Sequence, residues 1–133
     1  MATFNWSENL STDNQMIDGD HKHLIDLLNE LQTAMSSGKG NEVLGGILDE
    51  LIAYTESHFN REELLMKHIH YPDYEMHKAE HVKLIAEVKG FRQRFESGAI
   101  TVSGAVYTFL SDWLNTHIKT IDKKLGEAAK KAG

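Results

Sequence analysis

The stretch HFNREELLMKHIHYPDYEMHKAEH, residues 58–81, decides the fold. Pro72 divides it. The residue before a proline is pushed out of the helical region, and proline itself suits a first helical turn. One helix should therefore end ahead of Pro72 and the next begin there. Upstream, Leu51, Thr55, His58, Glu62, Leu65 and Ile69 recur at spacings of three and four. Downstream, Tyr74, His77, His81, Leu84, Val88, Phe91 and Phe95 do the same. That is the period of one helical face. Yet His58, Glu62, His77 and His81 occupy positions where an apolar residue belongs. His58 with Glu62, and His77 with His81, are i,i+4 pairs whose side chains lie one turn apart on a shared face.

Two more helices flank this pair. The first carries Ile17, Leu24, Leu28, Leu31 and Met35 and stops at Ser36-Ser37-Gly38-Lys39-Gly40. Asn41 is expected to cap the second helix, which goes on through Leu44, Ile47 and Leu48. The third stops near Gly98. The fourth begins about Val102 or Ser103 and carries Val106, Leu110, Trp113 and Ile121. Strand signals are weak, since alternating β-branched runs are nearly absent. The expectation is an all-α fold, an antiparallel up-down-up-down four-helix bundle with an extended N-terminal arm. Residues 1–16, with Phe4, Trp6 and Leu10, form the arm; residues 17–131 form the bundle and its C-terminal tail. The length, 133 residues, fits one domain over the whole chain.

Composition narrows the chemistry. There is no cysteine, which removes disulfides, thiolate metal sites and cysteine nucleophiles. The formal net charge of −6 disfavours nucleic acid. No apolar run approaches the ~20 residues of a membrane span, and no secretory leader is visible, so a cytoplasmic protein is expected. A monomer is expected as well.

The eight histidines are the anomaly, and their placement matters more than their number. In the first helix His21 falls in the apolar series between Ile17 and Leu24; in the fourth, His117 falls between Trp113 and Ile121. With His58, Glu62, His77 and His81, six seam positions are polar, and each helix supplies at least one. Counting from the connections at about 1.5 Å per residue sets all six at one height. A single seam histidine is usually a hydrogen-bonded core residue. Six in one layer each cost several kcal/mol if left unpaired, and a shared metal site removes that cost. His23, His68 and His70 lie off the seams and serve as controls. Met16, Met66 and Met76 read as core or surface residues, and Asp18 and Asp20 as helix-start residues. Asp122 is left open by spacing. It follows His117 by five residues, a poor same-face pair, and reaches the layer only if the helix loosens, as in a π-type turn.

Five imidazoles exceed what one zinc needs, and a bundle core suits a dinuclear iron site. No glutamate precedes a histidine by three residues, unlike the carboxylate-rich oxidase pattern. Asp18-x-x-His21, His58-Phe59-x-x-Glu62-Glu63, Tyr71-Pro72 ahead of His77-x3-His81, and Trp113-Leu114-x-x-His117-x4-Asp122 together closely resemble the hemerythrin family, in its single-domain bacterial form, the bacteriohemerythrins. The resemblance covers nearly the whole chain. It departs at Asp20, where the family often has glutamine.

The resemblance implies two iron ions, cycling between Fe2+ and Fe3+ and joined by an oxo or hydroxo bridge. His77, His81 and His117 would hold one iron, and His21 and His58 the other. Glu62 and Asp122 would bridge them. These donors fill all but one position of two six-coordinate irons, and the open position falls on the His21–His58 side. The expected function is reversible dioxygen binding, for storage or for delivery to an oxygen-consuming enzyme, without catalysis. The alternatives are a sensing domain and turnover of peroxide or nitric oxide. By helical offset, Ile17, Ile25, Leu28, Trp113 and Leu114 should wall the dioxygen pocket, although core packing alone also accounts for Trp113 and Leu114.

Overall fold

In the computed structural model, which describes residues 5–97 and 103–132, four long helical stretches follow a short arm. A 3-10 turn at Glu8–Leu10 lies within the arm. The helices are α1 (Gln15–Ser36), α2 (Gly40–His68), α3 (Tyr74–Glu96), α4 (Ser103–His117) and α5 (Lys123–Ala132). A π-helical turn, Ile118–Asp122, joins α4 to α5, so the two read as one helix with a widened turn. No strand occurs among the described residues. The four-helix bundle expected from the periodicity is the observed fold.

The helix ends show why the chain turns where it does. The Asn14 side chain accepts a hydrogen bond from the Ile17 N–H at 3.1 Å and starts α1. The arm therefore ends two residues earlier than its sequence boundary. At the other end Gly38 takes a left-handed φ of 74°, and Lys39 N–H reaches the Ala34 carbonyl at 2.7 Å. That turn leads straight into α2. The cap position is Lys39, with no side-chain cap, and Asn41 already lies inside the helix, contrary to expectation. α2 ends at His68, earlier than Pro72 alone demanded. His70 takes a φ of 55°, which lets Tyr71 N–H bond the Met66 carbonyl at 2.9 Å. Pro72 consequently stands two residues ahead of α3 rather than in its first turn. Phe4, Gly98 and Val102 lie outside the described residues.

The core has two parts. The larger is built from Leu24, Leu28, Leu31, Leu44, Leu48, Leu51, Leu84, Val88, Val106, Leu110, Leu114 and Ile118, with neighbours from all four helical stretches. The smaller contains Ile17, Met66, Tyr71 and Leu125. Along each helix the seam histidines and carboxylates sit between the two. Ile17 is one turn before His21, and Leu24 about one turn after it; Met66 is one turn beyond Glu62. The polar layer is thus sealed by apolar side chains above and below.

The arm is fastened by its own chemistry. The Asp18 carboxylate accepts from Ser11 Oγ, Thr12 N–H and Thr12 Oγ1, each at 2.8 Å. Leu10 is buried and Trp6 half-buried against the larger core. Thr12 in turn lies against Gly126 of α5, where a Cβ would stand 2.0 Å from the Thr12 carbonyl oxygen. No helix is long and apolar enough to cross a membrane among the described residues.

Candidate metal centre

All seven residues singled out as donors are buried in one layer: His21, His58, Glu62, His77, His81, His117 and Asp122. Their atoms form two groups, each with all donor atoms within 4.8 Å of one another. One group is Glu62, His77, His81, His117 and Asp122; the other is His21, His58, Glu62 and Asp122. Glu62 and Asp122 belong to both.

Asp122 arrives by the route that spacing left open. The π turn inserts slack after His117, so that Asp122 Oδ1 lies 3.0 Å from His117 Nε2. Oδ1 is also 3.0 Å from His77 Nε2, while Oδ2 is 2.8 Å from His21 Nε2. The same turn moves the seam. Ile118 is fully buried, and Ile121, the residue the regular period selects, is only half-buried. Glu62 Oε1 lies 3.0 Å from His81 Nε2 and 3.4 Å from His77 Nε2, and Oε2 is 3.4 Å from His58 Nε2.

These short distances are mostly not hydrogen bonds. His21 Nε2, His81 Nε2, His117 Nε2, both Glu62 oxygens and Asp122 Oδ2 are buried without a partner in hydrogen-bond geometry. An unmatched buried polar atom costs about 1–3 kcal/mol. Six of them approach the ~5–15 kcal/mol that holds a domain folded. Atoms that crowd together without bonding one another are arranged around shared points. Imidazole nitrogens and carboxylate oxygens in that arrangement fit a pair of borderline transition-metal ions.

Electrostatics favour the same reading. Burial pushes the Asp122 carboxyl up, but His117, His21 and His77 hold it well below the usual carboxylate range. Burial and Asp122 push Glu62 up, and the imidazoles of His58, His77 and His81 outweigh them. Both carboxylates therefore stay ionised in a dry interior. Burial lowers the His77 pKa, yet Asp122 and Glu62 raise it to about 9.

The imidazoles are oriented by partners outside the layer. Phe59 stacks on His81 with ring centroids 3.6 Å apart and 4° between planes. Trp113 stacks on His117 at 4.3 Å and 13°. His81 Nδ1 is 3.3 Å from Glu63 Oε2, and His58 Nδ1 is 2.8 Å from Asp20 Oδ2. Asp20 also accepts from Tyr54 Oη at 2.7 Å and from Arg61 Nε and Nη2 at 2.8 Å each. Burial pushes Asp20 up, but bonds from His58, Arg61 and Tyr54 hold its carboxyl far down. Sequence reasoning took Asp20 for a helix-start residue. Its place directly before His21, where the family often has glutamine, turns it toward the α2 side of the seam.

A cavity of about 30 Å³ opens beside the layer. One water needs roughly 10–15 Å³, so it has room for a diatomic molecule. It touches His21, His58, His117 and Asp122, and is walled by Leu28, Leu51, Phe59, Leu110, Trp113 and Leu114 among others. Of the five expected wall residues, Leu28, Trp113 and Leu114 line it; Ile17 and Ile25 do not. Ile17 packs with Met66, Tyr71 and Leu125 on the far side of the layer, and Ile25, one residue past Leu24, is buried in the larger core. A one-turn offset from His21 along α1 leads away from the cavity in the N-terminal direction. The three control histidines, His23, His68 and His70, stay outside the layer and are not buried.

Residues 12–129 match the family model described as the hemerythrin HHE cation binding domain. A bacteriohemerythrin of Stenotrophomonas maltophilia is 35% identical over 130 residues, 98% of this chain and 84% of that protein. Another from Methylococcus capsulatus is 35% identical over 127 residues, 95% of this chain and 96% of that protein. A crystal structure of wild-type hemerythrin superposes with a TM-score of 0.88 at 32% identity, covering 96% of this chain and 98% of that one.

Proposed function

Because the chain belongs to the hemerythrin family, we propose that its buried layer holds two non-haem iron ions and binds dioxygen reversibly, for storage or for delivery to oxygen-consuming enzymes. His77, His81 and His117 would hold one ion, His21 and His58 the other, with Glu62 and Asp122 shared. The two overlapping donor groups, which have those two carboxylates in common, carry the reading. When bound, an iron pair supplies the two electrons that dioxygen takes up on binding and returns on release.

The chain's own residues do the rest. Glu62 and Asp122 bring two negative charges that offset the charge of the metal in an interior where unbalanced charge is costly. Phe59 and Trp113 hold His81 and His117 flat against their faces, so both imidazoles keep one orientation. The cavity touches both His21 and His58, but of the other three histidines only His117, at the shared Asp122. A small apolar molecule therefore enters on the His21–His58 side. Leu28, Leu110 and Leu114 exclude water there, which protects a reduced site from loss of electrons to solvent species. Five imidazole donors against only two carboxylates favour binding over further chemistry, which supports a carrier over a peroxide- or nitric-oxide-consuming enzyme.

Metal analysis and anaerobic reduction followed by air test the proposal. About two irons per chain, with an absorption band that forms in air and disappears under argon, is the expected result. Rapid irreversible oxidation with product release would instead mark an enzyme.

A further inference from the structure

Among the described residues, His58 alone in the layer has its outward nitrogen bonded to a carboxylate that is itself clamped by a cation. Asp20 is only 7% exposed, and its two oxygens accept four hydrogen bonds of 2.7–2.8 Å, from Tyr54, His58 and both arms of Arg61. His81 has a looser arrangement, with Glu63 at 3.3 Å and 21% exposed. Arg61 is 34% exposed, so its guanidinium links the solvent-facing side of α2 to the layer. Its Nη1 is further fixed by Ser57 Oγ at 2.6 Å.

A carboxylate that accepts the Nδ1–H of an imidazole raises the donor strength of the opposite nitrogen. Here that nitrogen is His58 Nε2, the one facing into the layer 3.4 Å from Glu62. A bidentate guanidinium withdraws charge from the same carboxylate. The donor strength of His58 is therefore set by how much of the Asp20 charge Arg61 neutralises. An ordinary α1–α2 ion pair would need neither the buried carboxylate nor the bond to His58.

We infer that Arg61, acting through Asp20, is a positioning residue for His58 that sets the ferrous–ferric balance of the metal ion on the His21–His58 side. The inference rests on the two-iron reading above. Removing Arg61 leaves Asp20 bonded only to Tyr54 and His58, gives His58 more of its charge and favours the ferric form. Removing the Asp20 charge, with Arg61 still present, favours the ferrous form. A merely structural clamp predicts something different, because both losses loosen His58 in the same way and move the balance in one direction.

The test compares wild type, Arg61→Ala, Arg61→Lys and Asp20→Asn, each loaded with iron. Iron content is read first. About two irons per chain in wild type upholds the two-iron reading, and its absence overturns that reading and this one together. Midpoint potentials then decide the inference itself. Arg61→Ala should shift the equilibrium about tenfold toward ferric and Asp20→Asn about tenfold toward ferrous, each about 59 mV for one electron. Arg61→Lys, which keeps the charge, should restore most of the wild-type value. In the metal-free protein, the His58 Nδ1–H proton should give a slowly exchanging NMR signal that persists in Arg61→Lys and exchanges faster in Asp20→Asn. Shifts of the same sign in Arg61→Ala and Asp20→Asn, or an unmoved potential in Arg61→Ala, overturn the inference while iron content leaves the site reading intact.

Discussion

His117 Nε2 and Asp122 Oδ1 lie 3.0 Å apart although Asp122 is the fifth residue after His117 on one continuous helical stretch. A regular α-helix would turn Asp122 about 140° away from His117. The π turn at Ile118–Asp122 removes that divergence and brings the carboxylate under the imidazoles of three helices. π turns inside helices are frequent at functional sites.

Asp122→Ala should therefore abolish the shared position while leaving the bundle helical. The expected outcome is iron content falling from about two per chain to one or fewer, with unchanged far-ultraviolet circular dichroism. Two tightly held irons in this variant would show that Asp122 is not a ligand.

Leu114 is buried, walls the cavity and lies three residues before His117. Leu114→Ala should enlarge the cavity and admit water beside His21 and His58. Core Leu→Ala changes cost about 2–5 kcal/mol, rising with the volume of the cavity left behind. Decay of the oxygenated band in air should accelerate several-fold, and an unaltered decay rate would count against a water-excluding role.

Gly126 and Gly45 make a matched pair for stability. At Gly126 a Cβ would stand 2.0 Å from a backbone oxygen of Thr12, which the Asp18 clamp holds in place. At Gly45 the nearest atom is Phe95 Cε2 at 3.0 Å, the outer edge of a half-buried ring. Gly126→Ala should cost about 1–3 kcal/mol through overpacking. In Gly45→Ala the ~1 kcal/mol of helix propensity offsets the crowding, so its thermal midpoint should stay near that of wild type. A lower midpoint for Gly45→Ala than for Gly126→Ala would contradict the arm–α5 contact.

The His77 imidazole, raised from 6.5 to about 9 by Asp122 and Glu62 against the effect of burial, sets a pH dependence for the metal-free protein. A folded-state pKa above the unfolded value stabilises fully below the unfolded pKa. That contribution is lost as pH rises through the folded pKa. The His77 contribution to metal-free stability should thus be complete below about pH 6.5 and gone above about pH 9. Metal affinity runs the other way, because protons compete for the same nitrogens. An NMR titration of His77 in metal-free protein checks the midpoint, and chelator competition across the same range checks the opposite slope.

Much of this molecule is legible without coordinates. The helical period of the four seams, interrupted by His21, His58, Glu62, His77, His81 and His117, specifies both a bundle and a buried polar layer. The reason is local: side chains three and four apart share a face whatever lies opposite. Helix ends were less legible, because Asn41 and Pro72 satisfy capping rules that the left-handed turns at Gly38 and His70 supersede. Ile17 and Ile25 failed as cavity walls for a related reason. Helical offset says which face a residue shares with His21, but not on which side of the layer the packing leaves space.

The sequence by itself determined the fold, the height of the layer and six of the seven polar residues gathered in it, since these follow from periodicity and counting along single helices. Tertiary structure alone decided the rest. It set the π turn that delivers Asp122, the cavity beside His21, His58 and His117, and the Arg61–Asp20–His58 chain between α2 and α1. Each depends on atoms far apart in sequence, whose approach is fixed by packing between helices and by no pattern within one.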